Sequence, residues 1–242
     1  MRAARTRLTE WFQTRGWSPA PFQKRAWARG LAGRSGLIVT PTGSGKTLAA
    51  FGGALLEAMC SPVTVKPVRG AKLATGRIKV LWVTPLRALA SDTVGALREP
   101  LDALQTGWTV AMRTGDASAR DRRLARTGQA EVLVITPESL ALMLSYPDCG
   151  QLLGGVRWIV VDEWHELMGN KRGVLLQLGL ARLRAMAPEA RTWGLSATLG
   201  NLDEAASALL PASPTIPDII DGAPRRKINL HTLLPDAGEH FP

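Results

Sequence analysis

A glycine-rich loop between a short apolar run and a helix-like segment constrains the fold of this chain more than any other feature. The apolar run covers residues 36–39 and the helical pattern covers residues 46–60, so the loop joins a strand to a helix. Backbone N–H groups in such a loop form a concave anion site, and the N-terminus of the following helix adds partial positive charge. The arrangement predicts a phosphate-binding turn.

Individual residues of this loop supply distinct phosphate-binding groups. Gly43 and Gly45 let the backbone approach phosphate oxygens. Lys46 supplies a charge for β- and γ-phosphates, and Thr47 supplies a hydroxyl for Mg²⁺. The predicted nucleotide contacts of the loop are Thr42, Gly43, Ser44, Gly45, Lys46 and Thr47. Thr40 stands where the usual pattern has glycine, which shifts the subclass of the loop rather than its function. A glycine turn that precedes Lys-Thr by accident is the alternative, and the flanking strand and helix argue against it.

Composition limits the classes of protein to which the chain can belong. The 242 residues carry a net charge of +10, which favours a polyanionic partner such as nucleic acid, although a solvated basic surface remains open. Cys60 and Cys149 lie outside any metal spacing, so neither a zinc site nor a disulfide framework is predicted. No apolar stretch reaches the length of a membrane span, and the N-terminus lacks the apolar run of a signal peptide. We therefore expect a cytoplasmic protein with no membrane partner.

Short apolar runs alternate with helix-period segments along the chain. Strands are predicted at residues 36–40, 78–84, 108–113, 131–136, 156–161 and 191–196. Helices are predicted at residues 21–31, 46–60, 86–104, 119–127, 138–144 and 173–186. This alternation predicts an α/β fold with a mainly parallel sheet and right-handed crossovers. Ligands of such sheets bind at the carboxyl ends of the strands.

The pattern also suggests where the chain divides. Residues 1–20 are predicted as an N-terminal helical lead-in, residues 21–212 as the main domain, and residues 213–242 as a linker that begins a second domain. Pro and Gly with basic residues mark 61–77 as a surface loop. The tail from residue 211 is rich in proline and is interpreted as a linker, with 227–234 able to form one more strand.

Two adjacent carboxylates follow the apolar strand at 156–161. Asp162 is predicted to hold Mg²⁺, through water, and Glu163 to orient and deprotonate an attacking water. His165 is a weaker signal, since most single histidines only form local hydrogen bonds. Ser196 and Thr198 follow another strand and are predicted to bond the carboxylate–histidine group, although an ordinary strand-end turn is the alternative. The predicted catalytic residues are Lys46, Asp162, Glu163 and His165, and the predicted metal ligands are Thr47 and Asp162.

The order of these segments resembles motifs I, II and III of superfamily 2 helicases, at residues 42–47, 162–165 and 196–198. Segments similar to motif Ia (85–90), the Gly-Asp motif (114–116), motif Ib (136–140) and the Q motif (21–23) also occur in the family order. The resemblance implies a RecA-like P-loop three-layer sandwich that binds ATP and Mg²⁺. It also implies that the carboxamide of Gln23 reads adenine through two hydrogen bonds, and that Ser196 and Thr198 couple the site to nucleic acid.

A finer resemblance concerns the sequence Asp-Glu-Trp-His at 162–165, together with Arg-Gly-Trp at 15–17. These segments are similar to the large-helicase-related (Lhr) family, especially its bacterial ligase-associated members. That resemblance implies 3′→5′ translocation on single-stranded DNA, unwinding of duplex DNA or RNA:DNA hybrid, and DNA-repair proteins as partners. Motifs IV to VI do not follow Thr198, so the chain resembles the first RecA-like domain alone. We expect it to bind nucleotide but to hydrolyse it poorly without the second RecA-like domain.

The resemblance also implies where nucleic acid binds. The predicted backbone contacts are Pro85, Arg87, Thr114, Gly115, Asp116, Thr136, Pro137 and Glu138. Arginines cluster near the Gly-Asp motif, and both a solvated helix face and a nucleic-acid contact remain open for them. The clustered arginines are Arg113, Arg120, Arg122, Arg123 and Arg126.

Other functions stay open at this point. An RNA helicase of the same superfamily differs little in these motifs, and a non-hydrolysing, nucleotide-dependent module that binds nucleic acid or protein is a third possibility. A P-loop kinase or transporter ATPase fits poorly, because it has no need of the segment at 196–198. Trp82, Trp158 and Trp193 lie within strand patterns and are expected in the core. No role for Trp164 follows from the sequence.

Overall fold

The computed structural model describes residues 1–61, 76–198, 200–210 and 216–222. Within these residues the strands are β1 (Gly36–Val39), β2 (Val80–Val83), β3 (Val110–Arg113), β4 (Val132–Ile135), β5 (Trp158–Val161), β6 (Arg191–Ser196) and β7 (Asp218–Asp221). The helices are α1 (Arg2–Gln13), α2 (Pro21–Leu31), α3 (Lys46–Cys60), α4 (Arg87–Ala103), α5 (Ala119–Thr127), α6 (Pro137–Leu144), α7 (Cys149–Leu153), α8 (Trp164–Leu167), α9 (Lys171–Met186) and α10 (Leu202–Leu209). The predicted alternation of strands and helices is confirmed.

The strands form one parallel sheet in the order β3-β4-β2-β5-β6-β1-β7. Strands β2, β4 and β5 are buried at every position, as expected for strands that are covered on both faces. Successive strand residues point to opposite faces, so Trp82 belongs to one core cluster and Leu81 to the other. The predicted mainly parallel α/β sheet is therefore confirmed.

The two core clusters show how the helices cover the sheet. Helices α1 to α4 contribute their apolar side chains to one cluster, and helices α5 to α10 contribute theirs to the other. The result is the predicted three-layer sandwich. Trp82, Trp158 and Trp193 each expose 1% or less, so their predicted core positions are confirmed. None of the helices in the described part of the chain has both the length and the apolar character that crossing a bilayer requires.

The tail of the chain contains a strand that the sequence analysis missed. Strand β7 pairs in parallel with β1, with Gly36 opposite Asp218 and Val39 opposite Asp221. Arg34 Nε lies 2.9 Å from Asp218 Oδ2 and helps to hold this edge strand. The interpretation of these four residues as linker was wrong, because two isoleucines between two aspartates give little strand signal beside a proline-rich stretch. The predicted strand at 227–234 and most of the predicted surface loop, 62–75, lie outside the described residues.

Parallel register brings the ends of the central strands to one edge of the sheet. Val39 of β1 lies opposite Ser196 of β6, and Val161 of β5 lies opposite Gly194. The loop after β1, the acids after β5 and the end of β6 therefore meet at the carboxyl edge, where α/β proteins bind their ligands.

Candidate functional site

The loop after β1 has the backbone conformation of an anion cradle. Gly43 and Gly45 have φ angles of 78° and 91°, in the left-handed region that side-chain-bearing residues rarely adopt. A Cβ atom at Gly45 would lie only 2.6 Å from Gln23 Nε2. Thr40 Oγ1 donates a hydrogen bond to Ser44 Oγ at 3.0 Å. The threonine that replaces the usual glycine therefore stabilises the conformation of the loop.

A cleft of about 710 Å³ lies beside this loop, which is within the usual size range of small-molecule sites. The loop forms one wall, and the two acids after β5 lie in the same cleft. Three aromatic residues, Trp11, Phe12 and Trp17, also line the cleft, and Trp17 is half exposed. The lining residues shared with the predicted site are Gln23, Thr42, Gly43, Ser44, Gly45, Lys46, Thr47, Asp162 and Glu163.

An ion pair joins the first residue of α3, directly after the loop, to the turn after β5. Lys46 Nζ lies 3.2 Å from Glu163 Oε1 and 3.5 Å from Oε2, and the lysine is only 8% exposed. Two residues that are 117 positions apart in the sequence therefore share one site. Because Glu163 is the anion that neutralises Lys46 here, a phosphate bound in the loop would compete with this pair.

Asp162 is held by two hydrogen-bond donors. Its Oδ1 accepts from the backbone N–H of Glu163 at 3.0 Å, and its Oδ2 accepts from Trp82 Nε1 at 3.3 Å. Each oxygen of the carboxylate therefore has its own donor. Trp82 is fully buried and comes from the neighbouring strand β2, so the sequence carried no signal for this contact.

Burial raises the pKa of the Asp162 carboxyl, and the negative charge of Glu163 raises it further. The hydrogen bonds from Trp82 and Glu163, together with the charge of Lys46, oppose this shift. A raised pKa means that protonation of Asp162 favours the folded chain. The stabilisation is complete below the ordinary value of 3.8 and is lost as the pH rises through the raised pKa.

The backbone of Glu163 is strained. Its φ and ψ angles are 42° and 51°, a left-handed conformation that a residue with a long side chain rarely adopts. Such conformations cluster at functional sites, where the surrounding structure imposes them. Glu163 immediately precedes α8, and the tight turn between β5 and α8 depends on this conformation.

Motif II and motif III are in direct contact. Ser196 Oγ donates to the Thr198 carbonyl at 2.8 Å and lies 3.0 Å from His165 Nδ1, so this nitrogen carries the hydrogen that binds Ser196. His165 Nδ1 also lies 3.5 Å from Glu163 Oε2. The structure thus brings together the residues that were predicted to form the coupling group, although Thr198 takes part through its backbone rather than its hydroxyl.

Trp164 has a packing role that the sequence did not reveal. The side chain is 1% exposed, and its Nε1 donates to the carbonyl of Ala205 at 3.0 Å. It therefore ties the short helix α8 to α10. Because α8 begins directly after Glu163, this contact anchors the segment that carries the predicted catalytic residues.

Gln23 lies between α2 and the phosphate loop. Its Oε1 accepts from the backbone N–H of Ala20 at 2.8 Å, and its Nε2 donates to the Gly45 carbonyl at 3.1 Å. A primary carboxamide has two donor hydrogens and two acceptor lone pairs, so one of each remains. That remaining pair matches the N6/N7 edge of adenine, and the adenine contact stays a prediction.

The predicted nucleic-acid residues divide by exposure. Arg87, Gly115, Asp116 and Glu138 are exposed along the carboxyl edge, whereas the other four are buried and shape the loops there. The buried members are Pro85, Thr114, Thr136 and Pro137. Thr136 Oγ1 caps α6 by accepting from the Ser139 N–H at 3.4 Å.

Two contacts organise the exposed part of this edge. A Cβ atom at Gly115 would lie 3.0 Å from Arg87 Nη1, so the motif Ia and Gly-Asp loops touch. Arg172 of α9 binds Glu138, with Nη2 3.1 Å from Oε2. The hydrogen bond from Arg172 lowers the pKa of Glu138, which stays ionised with its charge compensated. Arg172 was missed because no motif includes it.

Comparison with known proteins identifies the family. The DEAD/DEAH box helicase model matches residues 20–205, which is most of the chain. This chain belongs to the DEAD/DEAH box helicase family. Among solved structures it is similar to the Mycobacterium smegmatis helicase Lhr bound to ssDNA and AMP-PNP, with a TM-score of 0.74 and 35% identity over 89% of this chain and 27% of that one. The RecA-like fold is thereby confirmed for this helicase domain.

Relatives support the resemblance to the Lhr family. The Lhr helicase/probable uracil glycosylase of Mycolicibacterium smegmatis is 38% identical over 217 residues, covering 85% of this chain and 14% of the relative. The ATP-dependent helicase Lhr-Core of Methanocaldococcus jannaschii is 37% identical over 238 residues, covering 94% of this chain and 27% of the relative. The resemblance to superfamily 2 helicases of Lhr type is confirmed. The chain spans less than a third of the length of either relative.

Proposed function

We propose that this helicase domain is the first motor domain of an ATP-dependent Lhr-type enzyme that translocates 3′→5′ on single-stranded DNA and unwinds duplex DNA or RNA:DNA hybrid. The observation that carries the proposal is the cleft in which Lys46 of the phosphate loop lies 3.2 Å from Glu163, beside Asp162. Residues 1–20 form the lead-in, and the motor domain begins at residue 21. Strand β7 extends the domain past the expected boundary at 212, to residue 221.

The residues of the cleft fit ATP with Mg²⁺. The left-handed glycines leave the loop N–H groups open to phosphate oxygens, and Lys46 supplies the cation. Mg²⁺ is usually held by one or two carboxylates together with substrate phosphates, and Asp162 with the Thr47 hydroxyl is such a donor set. When bound, the ion neutralises charge on the β- and γ-phosphates.

The remaining residues have roles that follow from their positions. Glu163 orients the attacking water and accepts its proton, since its carboxylate lies 3.2 Å from Lys46 and becomes free when Lys46 binds phosphate instead. His165 Nδ1 is hydrogen-bonded to Ser196 and lies 3.5 Å from Glu163 Oε2, so the ring stands between the two residues and transmits the state of the site. The exposed ring of Trp17 offers a face on which a base can stack, next to Gln23.

DNA is the nucleic acid that we propose, because a structure of an Lhr helicase with 35% identity contains single-stranded DNA. An RNA strand would use the same backbone contacts at Arg87, Gly115 and Asp116. Competition between DNA and RNA strands in a salt titration distinguishes these alternatives. DNA-repair proteins remain the proposed protein partners.

We expect the chain to bind nucleotide but to show little DNA-stimulated ATP hydrolysis on its own. Superfamily 2 helicases complete the ATPase site with a second RecA-like domain, and the chain spans only 14% to 27% of the Lhr relatives described above. Steady-state ATPase assays with and without single-stranded DNA test this expectation. A longer protein that includes the second domain is the positive control. Robust DNA-stimulated turnover by the 242 residues alone would contradict the proposal.

A further inference from the structure

The outward face of α5 consists mainly of arginine. Arg120, Arg122, Arg123 and Arg126 are exposed, whereas Leu124 and Ala125 pack into the core. The helix has one acid, Asp121, and it is engaged at the start of the helix. Its carboxylate accepts from Ser118 Oγ, and its Oδ1 lies 3.4 Å from the Met112 backbone nitrogen. The exposed face of α5 therefore has no acid of its own to balance the arginines.

Among the described residues, Arg126 is the only arginine of this face with a side-chain partner. Arg126 Nη1 lies 2.7 Å from Asp148 Oδ2, and its guanidinium covers the Tyr146 ring at 4.8 Å. In the part of the chain that the structure describes, no carboxylate lies within ion-pair distance of Arg120, Arg122 or Arg123. Three neighbouring cations thus face solvent uncompensated.

Local stability does not explain this placement. All three arginines lie within the first five residues of α5, where the helix dipole favours acids and disfavours cations. Arg120 and Arg123 are also three residues apart, a spacing at which like charges repel on a helix. Because the side chains are exposed, packing does not offset the repulsion. A conflict between local preference and observed sequence is expected where a residue serves function.

The position of α5 indicates the ligand. The helix begins three residues after Asp116, at the edge where Arg87 contacts Gly115. We propose that Arg120, Arg122 and Arg123 bind phosphates of the nucleic-acid strand where it runs past this edge. The inference rests on the proposed function, and it extends the nucleic-acid surface beyond the helicase motifs. Contacts of this kind position the strand without reading its sequence.

A charge-matched comparison tests the proposal. The α5 variant is Arg120→Gln, Arg122→Gln and Arg123→Gln, and the control replaces the exposed Arg2, Arg5 and Arg98 by glutamine. Both variants lose the same charge, and glutamine is a good helix former. Binding of each protein to a fluorescent single-stranded DNA of about 20 nucleotides is measured by anisotropy over a range of salt concentrations, with a strand of about 6 nucleotides for comparison.

We expect the α5 variant to bind the long strand at least about tenfold more weakly than wild type at low salt. The slope of log K against log salt should fall by about 2, since each lost phosphate contact on a single strand removes about 0.7. The short strand and the control variant should change much less. Removing cations from the start of α5 should leave the melting temperature equal or higher, whereas a structural role would lower it.

Two results would overturn the proposal. One is equal affinity and equal salt slope in the α5 and control variants, while wild type binds DNA. The other is a loss of binding that accompanies a lowered melting temperature, which would assign the arginines to folding. Absence of DNA binding by the wild-type chain that still binds nucleotide would instead remove the proposed nucleic-acid function, and this inference with it.

Discussion

Replacement of Lys46 by alanine is expected to abolish nucleotide binding by this helicase domain. The lysine is 8% exposed, and in the structure its only ion pair is with Glu163, among the residues described. Alanine removes the cation that faces the β- and γ-phosphates and leaves Glu163 as a negative charge in the same cleft. Loss of one charge-assisted contact together with this repulsion predicts an affinity loss of at least about 100-fold.

Calorimetry with a non-hydrolysable ATP analogue measures this loss directly. Lys24→Ala is a suitable control. Lys24 is exposed on α2, so its replacement removes the same charge at a position outside the cleft. The control should bind as wild type does. Near-wild-type affinity in the Lys46 variant, with the fold intact by circular dichroism, would show that the loop is not the phosphate site.

Replacement of Glu163 by glutamine is expected to separate binding from hydrolysis. Glutamine keeps the size of the side chain but cannot accept the proton of an attacking water. Loss of a general base costs about 10²- to 10⁴-fold in rate. Nucleotide affinity should stay equal or rise, because the change removes a negative charge 3.2 Å from Lys46. The measurement is kcat for ATP hydrolysis in a longer protein that contains both RecA-like domains.

Glu166→Gln provides the matched control for this experiment. Glu166 lies on the same helix α8 and contacts the other side of the histidine ring, with Oε1 3.4 Å from His165 Nε2. It is exposed and does not reach Lys46, so its variant should turn over ATP at close to the wild-type rate. Equal losses in the two variants would mean that disturbance of α8, and not loss of a base, causes the defect.

Local patterns were sufficient to predict most of the fold. Central strands such as β4 and β5 are unbroken apolar runs, and parallel sheets that are buried on both faces require such runs. Strand β7 was missed because its pairing with β1 comes from the fold and not from its own composition. Edge strands contribute few apolar residues, so their sequence signal is weak.

The contacts of the candidate site could likewise be predicted only in part. Motif order predicted that Lys46 and Glu163 would meet, because the ends of parallel strands share one edge. The Trp82 hydrogen bond to Asp162 and the Trp164 hydrogen bond to Ala205 could not be predicted. Each depends on where an indole N–H points after long-range packing. The left-handed backbone of Glu163 likewise follows from the turn between β5 and α8, and no residue type signals it.

The central claim is that the loop and the acids after β5 hold one magnesium ion between them. Thr47→Ala and Asp162→Asn test it as a double-mutant cycle, with affinity for a non-hydrolysable ATP analogue measured in Mg²⁺ and in EDTA. Asparagine removes the charge but keeps only one acceptor oxygen for the two N–H donors that hold Asp162, so the fold of this variant is checked by thermal melting. If both side chains serve the same ion, the two losses in Mg²⁺ should overlap, with a coupling of about 1 kcal/mol or more, and the coupling should vanish in EDTA. Fully additive losses in Mg²⁺ would contradict the account.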